Sequence, residues 1–417
     1  MIKKFALSIS MLLSVAAFAQ DGSASPYSFY GIGDQRFKGT NENRAMGGLG
    51  VMADSVRLNL QNPASYASLQ YTNFAVGASN ISNSMEATGV KESANRTTFD
   101  YIAVGFPIGR KAGMAFGLMP YTAVGYKVNN ITTDGDLSKQ YQFTGTGGLN
   151  KVFLGGGYSF TKNLSVGADV AYYFGTIDTK VLAAFEGVQN VSRLTNNTIY
   201  NGLTFNVSAN YKAKIGKYDW QSTVGFAPEA NLKTSATRTL GTVVLSTDGS
   251  EYSNNDELTL DVASPDYKMP SKYNFGTSFG SVNKWMVGAE VTFQDAKELY
   301  AANSLTNLVY DKSSKYVIGG YYTPKYNSFS SYFQRVTYRA GFRFEDTGMN
   351  INGQDIKDRA VSAGFGLPLG LSLSSLNLGF EYGSRGTTNV GLVKENYFVV
   401  TVGLSFGDKW FKKYEIN

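Results

Sequence analysis

The stretch Asn396-Tyr-Phe-Val-Val-Thr-Val-Gly-Leu-Ser-Phe406 decides the fold. Phe398, Val400, Val402, Leu404 and Phe406 share one parity, while Tyr397, Thr401, Gly403 and Ser405 share the other. Successive side chains of a strand leave opposite faces, so this is a strand with one apolar face and one small or polar face. The pattern recurs. At Leu164, Val166, Ala168, Val170, Tyr172 and Phe174 the opposite face carries Ser165, Gly167, Asp169 and Ala171. Further cases are Leu203 to Tyr211, Trp285 to Phe293, Val336 to Phe344 and Leu376 to Tyr382, whose other faces hold Asn206, Asn210, Glu290, Arg339, Arg343, Glu345, Asn377 and Glu381. The runs span about nine to eleven residues, the length a tilted strand needs to cross a bilayer. Strands of soluble proteins average about five or six. A soluble sandwich would also alternate, but with its apolar face turned inward. The sequence therefore predicts an all-β transmembrane antiparallel barrel with lipid on one face and water on the other.

Composition agrees with this reading and removes most chemistry. The 417 residues include 46 Gly, 28 Tyr and 27 Phe but only 9 Pro. A chain with 14% aromatic and 17% charged residues is too polar for helical spans and too aromatic for an ordinary soluble domain. Alternate lipid-facing positions reconcile the two. With no His and no Cys, histidine-dependent triads and His or Cys zinc sites are excluded, and disulfides do not hold the fold. The chain is read as a non-enzyme with no cofactor and no metal. Its net charge of +6, two units of which come from Lys3 and Lys4, is too mild to argue for nucleic acid.

Lys3 and Lys4, the apolar run Phe5 to Phe18, and Ala17-Phe18-Ala19 before Gln20 form a secretory signal peptide, residues 1–19. The run is too short to be a comfortable membrane anchor. Without Cys no lipidated N-terminus follows cleavage. The expected location is the outer membrane of a Gram-negative bacterium, with its lipids as the first partner.

The sequence predicts connections that alternate in length, as barrels with short periplasmic turns and long external loops require. Short ones fall at 109–111, 161–163, 214–218, 281–284 and 369–374. Polar stretches at 80–96, 129–139, 179–197, 231–266, 295–315 and 346–358 read as external loops. About fourteen strands result, an even number that returns both termini to the periplasm. Residues 20–67 do not alternate. Tyr27, Phe29, Tyr30, Phe37, Met46, Leu49, Val51 and Met52 make them too apolar for a solvated tail, so they are expected to fold into the lumen as a hatch, with the barrel over residues 68–417.

The stretch Asn43-Arg44-Ala45-Met46-Gly47-Gly48-Leu49-Gly50-Val51, then Asp54, then Asn59-Leu60-Gln61-Asn62-Pro63-Ala64-Ser65-Tyr66-Ala67 resembles the N-terminal hatch of the FadL family. That family comprises outer-membrane transporters of long-chain fatty acids and other hydrophobic compounds. Its usual Asn-Pro-Ala-Gly-Leu-Ala has Ser65 and Tyr66 in place of Gly-Leu here. The C-terminal run Leu378 to Thr387 and the tail Asp408-Lys409-Trp410-Phe411 are similar to a divergent branch that includes barrel subunits of protein-secretion machinery. The resemblance implies transport of a hydrophobic ligand. The alternative is a non-transporting barrel subunit of a secretion or assembly complex, with partner proteins. A general diffusion porin fits less well, because the plug would obstruct it.

The candidate hatch and ligand residues are Asn62, Pro63, Ala64, Met46, Leu49 and Phe29. Pro63 confines Asn62 to extended geometry and lacks an N–H, which suits a corner where plug becomes strand, with or without ligand contact. The resemblance also implies a sideways exit at an inward kink of the third strand. Gly117 and Pro120 are the candidates there, since proline cannot donate to a ladder; alternatively Pro120 marks a fraying strand end. Arg339, Arg343, Glu345 and Asp169 are the lumen charges, read either as a clamp for a carboxylate headgroup or as a salt-bridge network filling a wide barrel. The loop acids Asp248, Glu251, Asp256, Glu257, Asp261 and Asp266 lack calcium-loop spacing, and Gly155-Gly156-Gly157 has no phosphate-loop context.

Overall fold

A computed structural model describes residues 25–409 apart from 88, 135–136, 247–249, 254–256, 297–307 and 371–372. The expected signal peptide, Asp248, Asp256, Trp410 and Phe411 lie outside the described residues. Strand β1 (Asp34–Gln35) belongs to the N-terminal segment, which also contains the one-turn helix α1 (Asn41–Arg44). The wall comprises β2 (Thr72–Ala87), β3 (Val90–Ile108), β4 (Ala112–Pro120), β5 (Thr122–Asp134), β6 (Leu137–Ser159), β7 (Leu164–Phe185), β8 (Asn190–Ile215), β9 (Tyr218–Ala227) and β10 (Ala230–Leu245). It continues through β11 (Glu251–Ser253), β12 (Leu258–Leu260), β13 (Tyr267–Met269), β14 (Lys272–Ser281), β15 (Trp285–Gln294), β16 (Leu308–Tyr310) and β17 (Ser313–Tyr322). The last four are β18 (Thr337–Ile351), β19 (Gln354–Pro368), β20 (Ser375–Arg385) and β21 (Lys394–Asp408).

Interruptions split four traverses: β4 with β5, β9 with β10, β11 to β13 with β14, and β16 with β17. The wall therefore crosses fourteen times, antiparallel throughout. It closes where β2 pairs with β21, from Thr72 opposite Asp408 to Glu86 opposite Lys394. Closure leaves no free edge between first and last strands, which is what a sheet needs to span lipid.

Burial decides which face is which. On β21, Phe398 and Phe406 are 44% and 43% exposed, whereas Val399 and Thr401 between them are 1% exposed. The large apolar side chains point out and the polar ones in, the reverse of a soluble sandwich. Val287, Ile318, Leu203, Phe205, Tyr382 and Val361 continue the outward apolar band. Such a surface is stable only in lipid, and the chain is an outer-membrane barrel.

Connection lengths differ from the expectation. The polar stretches at 80–96, 129–139, 179–197 and 346–358 lie largely in the strands β2, β3, β5, β6, β7, β8, β18 and β19, not in long loops. Above the membrane both faces of a hairpin meet water, so polar residues continue the ladder while their backbone bonds remain satisfied. Between β18 and β19 the turn is Asn352-Gly353, both at positive φ (52° and 79°), as a tight two-residue hairpin demands. At the end that carries the termini, the connection from 323 to 336 is longer than the five short ones expected there. Val336, expected to face lipid, lies in it and is buried.

Candidate functional site

Residues 25–71 contribute no wall strand and pack against the inward face of the wall. Thr40 caps α1, and its hydroxyl and backbone N–H exchange bonds with Asn43 in a capping box. Asn43 Nδ2 then donates to Leu49 O at 2.7 Å, folding the Met46-Gly47-Gly48 corner, where both glycines have positive φ. That corner rests directly on wall glycines. A Cβ at Gly341 would lie 2.1 Å from the Met46 carbonyl carbon, and one at Gly167 would lie 2.3 Å from that of Pro63. The high glycine content thus lets backbone lie on backbone.

Wall side chains capture several polar groups of the segment, while Asn41 Nδ2 and Tyr66 OH are buried without a partner. Gly47 N donates to Ser362 Oγ, Gly50 N to Glu290 Oε2 and Ala53 N to Gln221 Oε1, all within 3.0 Å. Asn62, the candidate at the corner, accepts from Ser208 Oγ (2.8 Å) and donates to Thr223 Oγ1 (3.2 Å). Pro63 opens a 3-10 turn, Pro63–Ser68, and Ala64 N donates to Ser208 Oγ at 2.9 Å. Ala64, Met46 and Leu49 are buried, the latter two in one cluster with Val51 and Val317. A larger cluster joins Leu58, Leu60, Tyr66 and Leu69 of the segment to Tyr101, Met119 and Phe153 of the wall. Tyr66, which departs from the FadL pattern, is 1% exposed and fills space within it.

The third traverse is interrupted. β4 pairs with β3 only from Ile102 opposite Leu118 to Ile108 opposite Ala112, and β5 pairs with β6 but not with β3. Pro120 ends β4 opposite Asn150, and Tyr121 N donates to Leu149 O before β5 begins. The outer half of β3 therefore has a ladder partner only on its β2 side. The N-terminal segment takes the vacated edge: Asp34 and Gln35 pair with Ala123 and Thr122, and Arg36 N donates to Tyr121 O at 2.9 Å. Ser28 Oγ lies 3.3 Å from both Gly125 O and N, and the Phe29 ring meets Tyr126 edge-on at 4.9 Å. Pro120 is the last residue of β4 at this break, and the traverse continues beyond it as β5. Gly117 sits just below it; a Cβ there would lie 2.5 Å from Ile102 O.

Charged groups cross the lumen in a chain. Arg44 Nε donates to Glu381 Oε2 (2.8 Å), and Arg343 Nη2 reaches Glu381 Oε1 (3.0 Å), Asp358 Oδ2 (3.4 Å) and Tyr397 OH (2.9 Å). Arg385 Nη1 holds Asp34 at 2.7 Å, tying the N-terminal segment to β20. Arg339 lies apart and donates to Asn377 Oδ1 at 3.2 Å. Glu345 stands across the ladder from Lys315, and Asp169 accepts from Asn206 Nδ2 on a wall face far from Arg343. The four lumen charges singled out in sequence are thus dispersed. Arg44, Asp358, Arg385 and Asp34 complete the chain. Of these Arg385 was readable, since it shares the parity of Glu381.

Two hollows flank the segment. The outer one, about 230 Å³, is bordered by Asp34 to Lys38, Arg96, Asp100, Lys272 and Lys315. The other, about 620 Å³, lies at the terminal end against Ala53 to Ser55 and Ala67 to Gln70. Among the described residues no group of His, Cys, Asp or Glu is placed to hold a metal ion.

A family model described as BamG matches residues 1–417, and the chain belongs to that family. No curated protein matches it in sequence. Its fold is similar to solved FadL-like channels. The structure described as the CymD monoaromatic hydrocarbon channel has a TM-score of 0.60 at 12% identity, over 91% of this chain and 100% of that one. The Pseudomonas putida toluene transporter TodX gives 0.58 at 15% identity, over 91% and 100%. A Pseudomonas aeruginosa FadL homologue gives 0.55 at 9% identity, over 89% and 99%.

Proposed function

We propose that this BamG-family barrel passes hydrophobic small molecules across the outer membrane. They enter from the outer hollow and leave sideways where the third traverse breaks. The observation that carries the reading is the interruption at Pro120 and Tyr121, where the wall between β3 and β5 is joined by no ladder and the N-terminal segment occupies the edge. Structures of this fold described as channels and transporters carry monoaromatic hydrocarbons and toluene, which gives the substrate class. In this reading residues 20–67 are the hatch. Asn62, Pro63, Ala64, Met46 and Leu49 hold its fixed part, Phe29 lies on its movable part, and Gly117 and Pro120 shape the exit. Arg339, Arg343, Glu345 and Asp169 act as structural lumen charges.

The test uses Ser28→Cys with Gly125→Cys in a chain that has no Cys of its own. Uptake of a labelled alkylbenzene is measured in cells whose lipopolysaccharide leaflet resists it. Uptake should exceed that of barrel-free cells, fall on oxidation and return on reduction. Uptake equal to that of barrel-free cells in both states refutes transport.

A second reading, a subunit of an outer-membrane secretion or assembly complex, is favoured by three observations. The N-terminal segment is packed into the wall with most of its buried polar groups paired, and the outer hollow is bordered by many charged side chains beside its aromatic ones. The 323–336 connection also holds a fixed shape through Lys325 N to Gln334 O and Tyr332 OH to Pro368 O, yet presents Phe329 and Phe333 at 92% and 74% exposure. Purification from native membranes in mild detergent should recover stoichiometric partners. Recovery of the barrel alone excludes this reading.

A further inference from the structure

The outer hollow contains a charge imbalance that neither reading uses. Arg36 of the N-terminal segment, Arg96 on β3, Lys272 on β14 and Lys315 on β17 all border it. β14 and β17 are neighbours joined through β15, and β3 lies away from them round the barrel, so the four cations border one hollow only through the fold. Among the described residues none of the four has a side-chain hydrogen bond or ion pair, in contrast to Arg44, Arg343 and Arg385 on the same hollow. Arg96 is the sharpest case. It is 5% exposed, and its Nε and Nη1 are buried without a partner. Between Lys272 and Lys315, on the strand that pairs with both, Thr292 is 7% exposed and its Oγ1 also lacks a partner.

Burying an unpaired guanidinium costs several kcal/mol, so these orphaned donors point to an absent acceptor. Two carboxylates at the hollow also lack an ion pair. Asp100 accepts from Ser79 and Thr98, and Glu345 faces Lys315 across the ladder. With Arg44, Arg343 and Arg385 balanced by Asp34, Asp358 and Glu381, these four cations against two carboxylates leave a surplus of two positive charges, not counting Lys38, which also borders the hollow. A phosphate monoester carries about −1.5 to −2 at neutral pH and offers three strong acceptor oxygens, whereas a carboxylate leaves one charge unmatched.

We propose that the outer hollow binds a phosphate monoester group through Arg36, Arg96, Lys272 and Lys315, with Thr292 as a hydroxyl donor. The shared chemistry is a phosphate dianion, carried by a lipid headgroup arriving through the break beside β3 or by a soluble compound from outside. The inference does not depend on transport, because it is tested by binding alone.

The full chain, in a nonionic detergent and chloride buffer free of phosphate and sulfate, is titrated calorimetrically with inorganic phosphate, dihexanoyl phosphatidic acid and hexanoate. Saturable binding of a phosphate probe is expected, at least about tenfold tighter than hexanoate, because a phosphate dianion makes at least one more charge-assisted bond than a carboxylate. Arg96→Met should weaken it at least about tenfold by the same reckoning. Lys272→Met is the second variant should Arg96→Met not fold, as judged by heat-modifiable migration. Tighter binding of phosphatidic acid assigns the site to a lipid headgroup, and equal binding of the two phosphates assigns it to a soluble phosphate; either supports the site. No saturable binding of either phosphate, hexanoate binding as tightly, or unchanged affinity in a folded variant overturns it.

Discussion

Replacing Gly167 by alanine should loosen the N-terminal segment and spare the barrel. A Cβ there would lie 2.3 Å from Pro63 C, 2.4 Å from Ala64 N and 2.5 Å from Pro63 O. Carbon atoms rest at about 3.5–4.0 Å, so the Pro63 turn must withdraw by about 1 Å. These are backbone atoms, and no rotamer change relieves the clash. The withdrawal takes the Ala64 N–H, now 2.9 Å from Ser208 Oγ, out of bonding range while it remains buried. Overpacking costs about 1–3 kcal/mol and the orphaned donor about 1–3 more, about 2–6 in all. The control is Ala168→Val, which adds bulk at the next residue on the exposed outer face. Release of the N-terminal segment is read by protease nicking of the folded, heat-modifiable barrel. Where nicking follows the opening equilibrium, 2 kcal/mol raises its rate about 30-fold. Gly167→Ala that is nicked as slowly as the parent chain and Ala168→Val refutes the seating of backbone on glycine.

Arg44→Gln and Glu381→Gln should each destabilise the seated segment by about 3–5 kcal/mol, because each leaves a buried partner unpaired. The double variant should cost less than their sum, as measured by the urea midpoint for segment release. Deleting residues 25–67 should raise single-channel conductance in a planar bilayer; unchanged conductance would show that the lumen is open with the segment in place. Gly353→Val should lower the thermal midpoint by the equivalent of about 1–2 kcal/mol, the cost of a left-handed conformation to a side chain. Gly370→Val, also at positive φ but in a short terminal-end connection, should cost a similar amount.

Strand parity was legible because lipid and water impose it residue by residue. Phe398, Val402 and Phe406 reveal β21 without any knowledge of its neighbours. The external hairpins were not legible by the same rule. Where water bathes both faces, polarity carries no parity, and a strand made of Thr, Asn and Ser looks like a loop. Asn352-Gly353 was nevertheless a turn signal within the stretch read as a long loop, and it outweighed that polarity. The apolar character of the N-terminal segment was visible in Met46, Leu49 and Val51, but its seat was not. The glycines that receive it, Gly167 and Gly341, are far apart in sequence, and only closure of the barrel brings them to Pro63 and Met46. The pairing of the lumen charges was hidden for a related reason. Parity places Arg343 and Glu381 inside, but whether a cation has a partner depends on which strands face one another across the lumen.

The seating divides the N-terminal segment mechanically and brings the two functional readings to one experiment. From Met46 to Leu69 it is enclosed by wall glycines, by acceptors such as Glu290 and Gln221, and by an apolar cluster, so it has nowhere to move without repacking the core. From Ser25 to Lys38 it lies on the edge of β5, borders the outer hollow and is tied across the lumen by Asp34 to Arg385, by Tyr27 OH donating to Val393 O and by Tyr27 packing against Ile351, Ile356 and Leu392. Sideways exit requires motion of that first part alone, since it covers the break. Service as a complex subunit requires no motion in either part. Joining Ser28→Cys to Gly125→Cys immobilises the first part and leaves the second untouched. A lock that stops uptake while purification partners remain bound assigns passage to the first part. A lock that changes neither leaves the break as a structural corner of a barrel whose work is done at its surfaces.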